Sequence, residues 1–214
     1  MQPRAVYFNL DLTLTRMERP FDALTVEVLQ RAEVPDPHID PTRHSNLFFD
    51  RFLDLDPDPF AGAYEAYFDE LDAEVEMDPA EAARIRKQLE VDAVRPAVDD
   101  LPGLIGAVGE EHPVGVLTSG VPDLQRAKLE SLGVLDAVDD VVVSYELDAT
   151  KASGDLFAAA EGRLGAEESD AAAYVYVSNH DSDVEAAKAA GWTAVRADAA
   201  DLADDPLGYL DDAL

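Results

Sequence analysis

The chain has 214 residues, enough for one large domain or a domain with an insertion, and its 47% hydrophobic content can build a real core. It carries 46 acidic side chains against 16 basic ones, a net charge of −30, which argues against nucleic-acid binding, since that needs basic patches, and against anionic membrane surfaces. With no cysteine, disulfides and thiolate metal sites are excluded as well.

The first predicted element is an apolar strand, "AVYF" at 5–8, running into a polar turn, "NLDLT" at 9–13. The stretch 16–94 then changes character. It holds four segments with helical apolar spacing: "PFDALTVEVLQRAEV", "PTRHSNLFFDRFLDL", "PFAGAYEAYFDELDAEV" and "DPAEAARIRKQLEV". Each begins at or near Pro, Asp or Thr, as helix starts do. Phe48, Phe49, Phe52, Phe60, Tyr64, Tyr67 and Phe68 concentrate here, and their helical spacing predicts core positions. His44 lies in the same block and is a candidate to face a ligand crevice. Pro96 marks the return to strands.

Four further apolar runs follow: "PVGVLT" (113–118), "DVVVS" (140–144), "AYVYVS" (173–178) and "TAVRA" (193–197). Helical patterns at 121–133, 153–165 and 182–191 separate them, each ending in Gly at an expected C′ position. Continuous apolar strands alternating with helices predict a parallel sheet covered on both faces. In such sheets ligands bind beyond the carboxyl ends of the strands. Those ends carry Asn9, Asp11 and Thr13; Thr118, Ser119 and Gly120; Lys151; and Ser178, Asn179, Asp181 and Asp183. They are expected to converge on one crevice. Trp192 is expected in the core, and His38, His112 and His180 in loops or turns.

The strand ends resemble the four motifs of the haloacid dehalogenase (HAD) superfamily, which is mostly phosphatases. The first motif is Asp-x-Asp-x-Thr-Leu after a strand; here it reads "FNLDLTL", with Asn9 in the first Asp position. "VGVLTSG" fits the second motif with Thr118, and "ATKASGDLF" fits the third with Lys151. "YVSNHDSDVEAAKAAG" keeps the frame of the fourth, with Ser178 and Asn179 replacing Gly-Asp and Asp183 retained. The resemblance implies an α/β fold. A Rossmann-like parallel sheet flanked by helices would form the core domain from residues 1–15 and 95–214. An inserted all-helical cap of the C1 type would span 16–94. The crevice between them would hold a small anionic substrate.

The same resemblance implies roles. In the family's phosphatases the first Asp attacks phosphorus and forms an aspartyl-phosphate, while the second acts as acid and base. Ser/Thr and Lys hold the phosphoryl oxygens, and Mg²⁺ bridges the first Asp, a backbone carbonyl and the fourth-motif carboxylates. Carried over, the catalytic set is Asn9, Asp11, Thr118 and Lys151. Thr13, Ser119 and Gly120 would bind substrate. Asn9, Asp11, Asn179 and Asp183 would face the metal. An amide is uncharged and a far weaker nucleophile than a carboxylate, so Asn9 and Asn179 predict weak Mg²⁺ binding or none; Asp181 is a candidate substitute ligand. Plainer readings stand beside these: a self-capping turn for Asp11, a strand-end hydroxyl for Thr118, a solvated lysine for Lys151, a helix N-terminal acid for Asp183.

Several functional readings stay open. The chain is a hydrolase derived from a Mg²⁺-dependent phosphomonoesterase that acts on a small phosphorylated metabolite. It is an inactive anion-binding or regulatory protein. It is an active hydrolase in which Asn9 was introduced to hold substrate. Or it works by another route, such as direct water attack with Asp11 as base or deamidation of Asn9. A 2-haloacid dehalogenase is a further alternative. The fourth-motif Ser-Asn leans that way, and Arg43 would receive the halide and bind substrate; the plainer reading of Arg43 is a surface residue of the cap. That branch also needs the first Asp, whose carboxylate displaces the halogen from carbon, and Ser119 and Phe157 depart from its pattern, which has Asn and Tyr there.

Acid-rich, lysine-poor surfaces resemble those of cytoplasmic proteins from salt-accumulating halophilic archaea. The chain has only four lysines, Lys87, Lys128, Lys151 and Lys188. With no signal pattern at the N-terminus and no apolar run near the ~20 residues of a membrane span, a cytoplasmic monomer or homodimer without nucleic-acid or membrane partners is expected.

Overall fold

A computed structural model describes residues 5–71, 74–164, 171–203, 205–210 and 213–214. The chain begins with β1 (Ala5–Phe8), turns over Leu10–Leu14 and forms a short β2 (Thr15–Met17). Four helices follow: α1 (Phe21–Arg31), α2 (Pro41–Leu53), α3 (Pro59–Asp69) and α4 (Pro79–Ala93). Then come β3 (Val94–Pro96), α5 (Leu101–Gly109), β4 (Val114–Thr118), α6 (Pro122–Ser131), β5 (Asp140–Val143) and a one-turn α7 (Ser144–Leu147). The last stretch is α8 (Asp155–Ala160), β6 (Tyr174–Ser178), α9 (Asp181–Ala189), β7 (Thr193–Arg196), α10 (Ala199–Ala203) and α11 (Pro206–Leu210).

Five strands form one sheet in the order β5-β4-β1-β6-β7, and every neighbouring pair is parallel. The pleat sorts side chains to two faces. Val6 and Phe8 of β1 join Val114, Val116, Val175 and Val177 in one core with α5 and α6. Ala5 and Tyr7 join Leu117, Tyr174, Tyr176, Phe157 and Trp192 in the other, with α8 and α9. Both faces of the three central strands β4, β1 and β6 are buried along their whole length, while the edge strands β5 and β7 are partly exposed and carry Asp140 and Arg196. Because all five strands run the same way, their carboxyl ends share one edge.

Two compact units divide the chain: Met1–Arg16 with Arg95–Leu214, and Met17–Val94. In the second unit, Asp40, Asp58 and Asp78 cap α2, α3 and α4 by accepting from backbone N–H groups, with Pro next in each case. Its interior holds Phe60, Tyr64 and Tyr67, but Phe49 is an exception to the aromatic core, with 54% of its surface exposed.

The helix expected over 153–165 is shorter. Gly154 adopts φ 83°, α8 spans only Asp155–Ala160, and Glu161 is extended. Gly165 lies outside the described residues. Gly133 (φ 70°) and Gly191 (φ 89°) do follow α6 and α9 in the left-handed conformation expected of C′ glycines.

Candidate active site

Asn9 leaves β1 with its N–H still bonded to Val177 O of β6, 2.9 Å away. Its side chain is buried and held on both sides. Lys151 Nζ donates to Asn9 Oδ1 at 2.8 Å. Asn9 Nδ2 donates to the backbone carbonyl of Asp11 at 2.7 Å and to Thr13 Oγ1 at 3.0 Å. An ammonium can only donate and a carbonyl can only accept, so these partners fix which way the amide points.

The turn then carries Asp11 back across the end of the sheet. Leu12 takes a left-handed conformation (φ 63°, ψ 2°), and Thr15 Oγ1 braces the turn by donating to Leu10 O and accepting from Leu12 N. Asp11 Oδ1 accepts from Lys128 Nζ at 2.9 Å, and Oδ2 accepts from Gln125 Nε2 at 2.7 Å. Burial pushes the Asp11 carboxyl up. The Lys128 charge, the bonds from Gln125 and Lys128, and the Lys151 charge outweigh it and hold the group below the usual carboxylate range.

Thr118 ends β4 fully buried. Its hydroxyl donates to Ser119 O (3.3 Å) and accepts from Gln125 Nε2 (3.2 Å). Gln125 Nε2 also reaches Ser119 O at 2.9 Å. Three acceptors surround an amide nitrogen with two hydrogens, while Gln125 Oε1 is buried without a hydrogen-bond partner among the described residues. Gly120 sits at φ 153°, and a Cβ there would come within 2.6 Å of Gln125 Nε2. Its N–H donates to Ser144 Oγ at 3.0 Å.

Lys151 is nine-tenths buried and donates to Asp183 Oδ2 at 2.6 Å as well as to Asn9. Burial pushes its amine down from the ordinary lysine value; the charge and hydrogen bond of Asp183, and the charge of Asp11, oppose that fall without cancelling it. Asp183 Oδ2 also receives Tyr176 OH and Ser178 Oγ, each at 3.4 Å.

The structure thus brings Asn9, Asp11, Thr13, Thr118, Lys151, Asn179 and Asp183 into one hydrogen-bonded cluster. Three expectations need correction. Thr13 was expected to bind substrate, but it is fully buried, with its hydroxyl donating to Asn179 Oδ1 and accepting from Asn9 Nδ2 and Asn179 N. Of the two readings of Arg43, substrate-binding halide receiver or cap surface residue, the structure corrects the first: Arg43 lies in the first turn of α2, exposed, with its guanidinium on Glu70, and its Nε donates to Glu70 Oε2 at 2.8 Å. Asp181 was a candidate ligand, but its exposed carboxylate pairs with Arg196 at 3.1 Å. His44 is buried within the helical unit, its ring 4.1 Å from that of Tyr64.

Gln125 and Lys128 belong to no motif and were missed. The available signal was a glutamine and a lysine three apart on a core-covering helix, in a chain that uses lysine four times.

The donor set does not fit Mg²⁺. A hard dication needs free anionic oxygens. Asn9 and Asn179 are neutral amides whose oxygens accept from the Lys151 ammonium and the Thr13 hydroxyl, the Asp11 carbonyl already accepts from Asn9, and the one fourth-motif carboxylate left, Asp183, is paired with Lys151. Among the described residues no three His, Cys, Asp or Glu side chains gather as a metal group.

Comparison with known families decides the classification. The model of the haloacid dehalogenase-like hydrolases matches residues 13–191. The chain belongs to this family. Among solved structures, this HAD-like chain is similar to the HAD-hydrolase YfnB from Bacillus subtilis bound to magnesium (TM-score 0.69, 16% identity, 91% of this chain and 88% of that one). It is also similar to L-2-haloacid dehalogenase from Xanthobacter autotrophicus with chloropropionic acid covalently bound (0.62, 20%, 99% and 83%). A third is a HAD phosphatase from Thermococcus onnurineus (0.61, 22%, 89% and 84%). At these identities the likeness is one of fold. No curated protein sequence matches the chain. Among the described residues no helix is long and apolar enough to cross a membrane.

Proposed function

We propose that this HAD-like protein holds a small phosphorylated metabolite at the strand ends without forming an aspartyl-phosphate. One observation carries the reading: the side chain at the nucleophile position is an amide bonded at both ends, to Lys151 and to the Asp11 carbonyl. In-line attack needs a free anionic oxygen facing phosphorus. Asn9 offers a neutral oxygen that already accepts from an ammonium. The α6 N-terminus, which no side chain caps, and Lys151 remain as anion-holding groups.

The acidic surface and scarcity of lysine support a salt-rich cytoplasm as its setting. Mg²⁺ is the family's usual cofactor; the hydrogen bonds already made by Asn9, Asn179 and Asp183 support a site that works without it.

The test is hydrolysis of a generic phosphomonoester with Mg²⁺ in molar KCl. The native chain is expected to show no turnover above background. Turnover is expected only when Asn9→Asp and Asn179→Asp are combined, because each restores one carboxylate facing the metal. Turnover by the native chain would refute the reading. Halide release from 2-chloropropionate without metal would instead establish the dehalogenase reading, which the Ser178–Asn179 pair favours and which Asn9 opposes, because displacing a halide needs the same carboxylate nucleophile.

A further inference from the structure

Lys128 is an unexpected residue to find inside the protein. It is 1% exposed, on a helix whose neighbouring Leu124 and Leu129 are buried apolar groups. An ammonium is costly to bury, and an apolar residue would cost less unless the charge has a use. Two of the chain's four lysines, Lys128 and Lys151, are spent in this one cluster, each on a carboxylate. Gln125, three residues earlier on the same helix face, takes the second oxygen of Asp11.

The charges explain the arrangement. Asp11 and Asp183 contribute two negative charges at the place where an anionic ligand would arrive. In a metal-dependent relative a dication offsets such charges. Here Lys151 neutralises Asp183, and without Lys128 the Asp11 carboxylate would stand uncompensated. Because Lys128 is buried, salt screens its charge little.

We propose that the pair of the buried Lys128 with Asp11 supplies the charge balance a divalent cation would otherwise provide, so that the site takes a phosphate-type anion without metal. This rests on the anion-holding reading above and adds that the binding is metal-independent. Lys128 acts through Asp11 and is a positioning residue.

The test is calorimetric titration of inorganic phosphate into the full chain in molar KCl, once with EDTA and once with Mg²⁺. Equal affinity in both is expected. Lys128→Gln should weaken binding by about ten-fold or more, and adding Asp11→Asn should recover most of it, because the double variant removes both charges together. Circular dichroism checks the fold of each variant. If Lys128→Gln does not fold, the EDTA comparison and the double variant still decide. Binding that requires Mg²⁺, or an unchanged affinity in a folded Lys128→Gln, overturns this proposal alone. No binding by the native chain in either condition overturns the anion-holding reading and this proposal together.

Discussion

An amide differs from a carboxylate by a donor where the carboxylate has lone pairs, and at residue 9 that difference reorganises the site. Asn9 Nδ2 donates to the Asp11 carbonyl. A carboxylate in its place would set acceptor against acceptor unless a cation came between them. Asn9→Asp is therefore expected to lose about 1–3 kcal/mol of stability in EDTA, the cost of an unsatisfied buried acceptor, and to regain part of it with Mg²⁺. Thermal melts at matched ionic strength would show a Mg²⁺-dependent rise for the variant and none for the native chain. Gly120→Ala makes a second residue-scale prediction. A Cβ 2.6 Å from Gln125 Nε2 forces Gln125 off Asp11, costs about 1–3 kcal/mol as overpacking does, and weakens phosphate binding. Asn9, Asp11, Thr118 and Lys151 were legible because each follows a strand end. Gln125 and Lys128 were not, because a helix face carries no motif and only the fold shows that they point at Asp11.

At the scale of elements, the sheet was legible and its details were not. The apolar runs marked all five strands, since both faces are buried in the three central ones and partly so at the edges. What they could not show is the close contact of Tyr7 with Gly115, its partner in register on β4. A Cβ at Gly115 would lie 2.4 Å from the Tyr7 ring, while Tyr7 OH is tied to Asp140 at 2.9 Å. Gly115→Ala should cost about 1–3 kcal/mol, read as a lower Tm. Among the helices, His44 of α2 is the element-scale surprise. Burial, then the nearby charge of Arg86, pushes its imidazole down to about 3, and its Nε2 has no protein partner among the described residues. The folded pKa lies below the unfolded value of ~6.5. Between those limits the unfolded chain binds a proton that the folded one does not, so stability is unaffected above pH ~7 and falls as pH drops through the window. His44→Gln is expected to flatten that slope by up to about 1.4 kcal/mol per pH unit, measured by denaturant titrations at several pH values. The remaining slope belongs to carboxylates such as Asp140, whose burial is outweighed by Arg163 and Tyr7 to leave it below its usual range.

At the scale of the whole molecule, charge dominates. A net −30 repels itself at low salt and is screened as the Debye length falls from ~10 Å at 0.1 M to ~3 Å at 1 M. Tm is expected to rise steeply with KCl over that range; a flat or falling Tm would contradict a salt-rich setting. The site is built differently from the surface. Its charges are paired and both lysines are buried, so added salt should stabilise the fold far more than it weakens the Lys128–Asp11 and Lys151–Asp183 pairs. The central claim is that this site binds a phosphoryl group and does not transfer it, and ³¹P NMR of a phosphomonoester mixed with the native chain in molar KCl tests both halves at once. The ester resonance is expected to shift or broaden, to do so much less with Lys151→Met, and to give no inorganic phosphate signal over hours. Growth of that signal, or a resonance the protein leaves unchanged, would contradict the account.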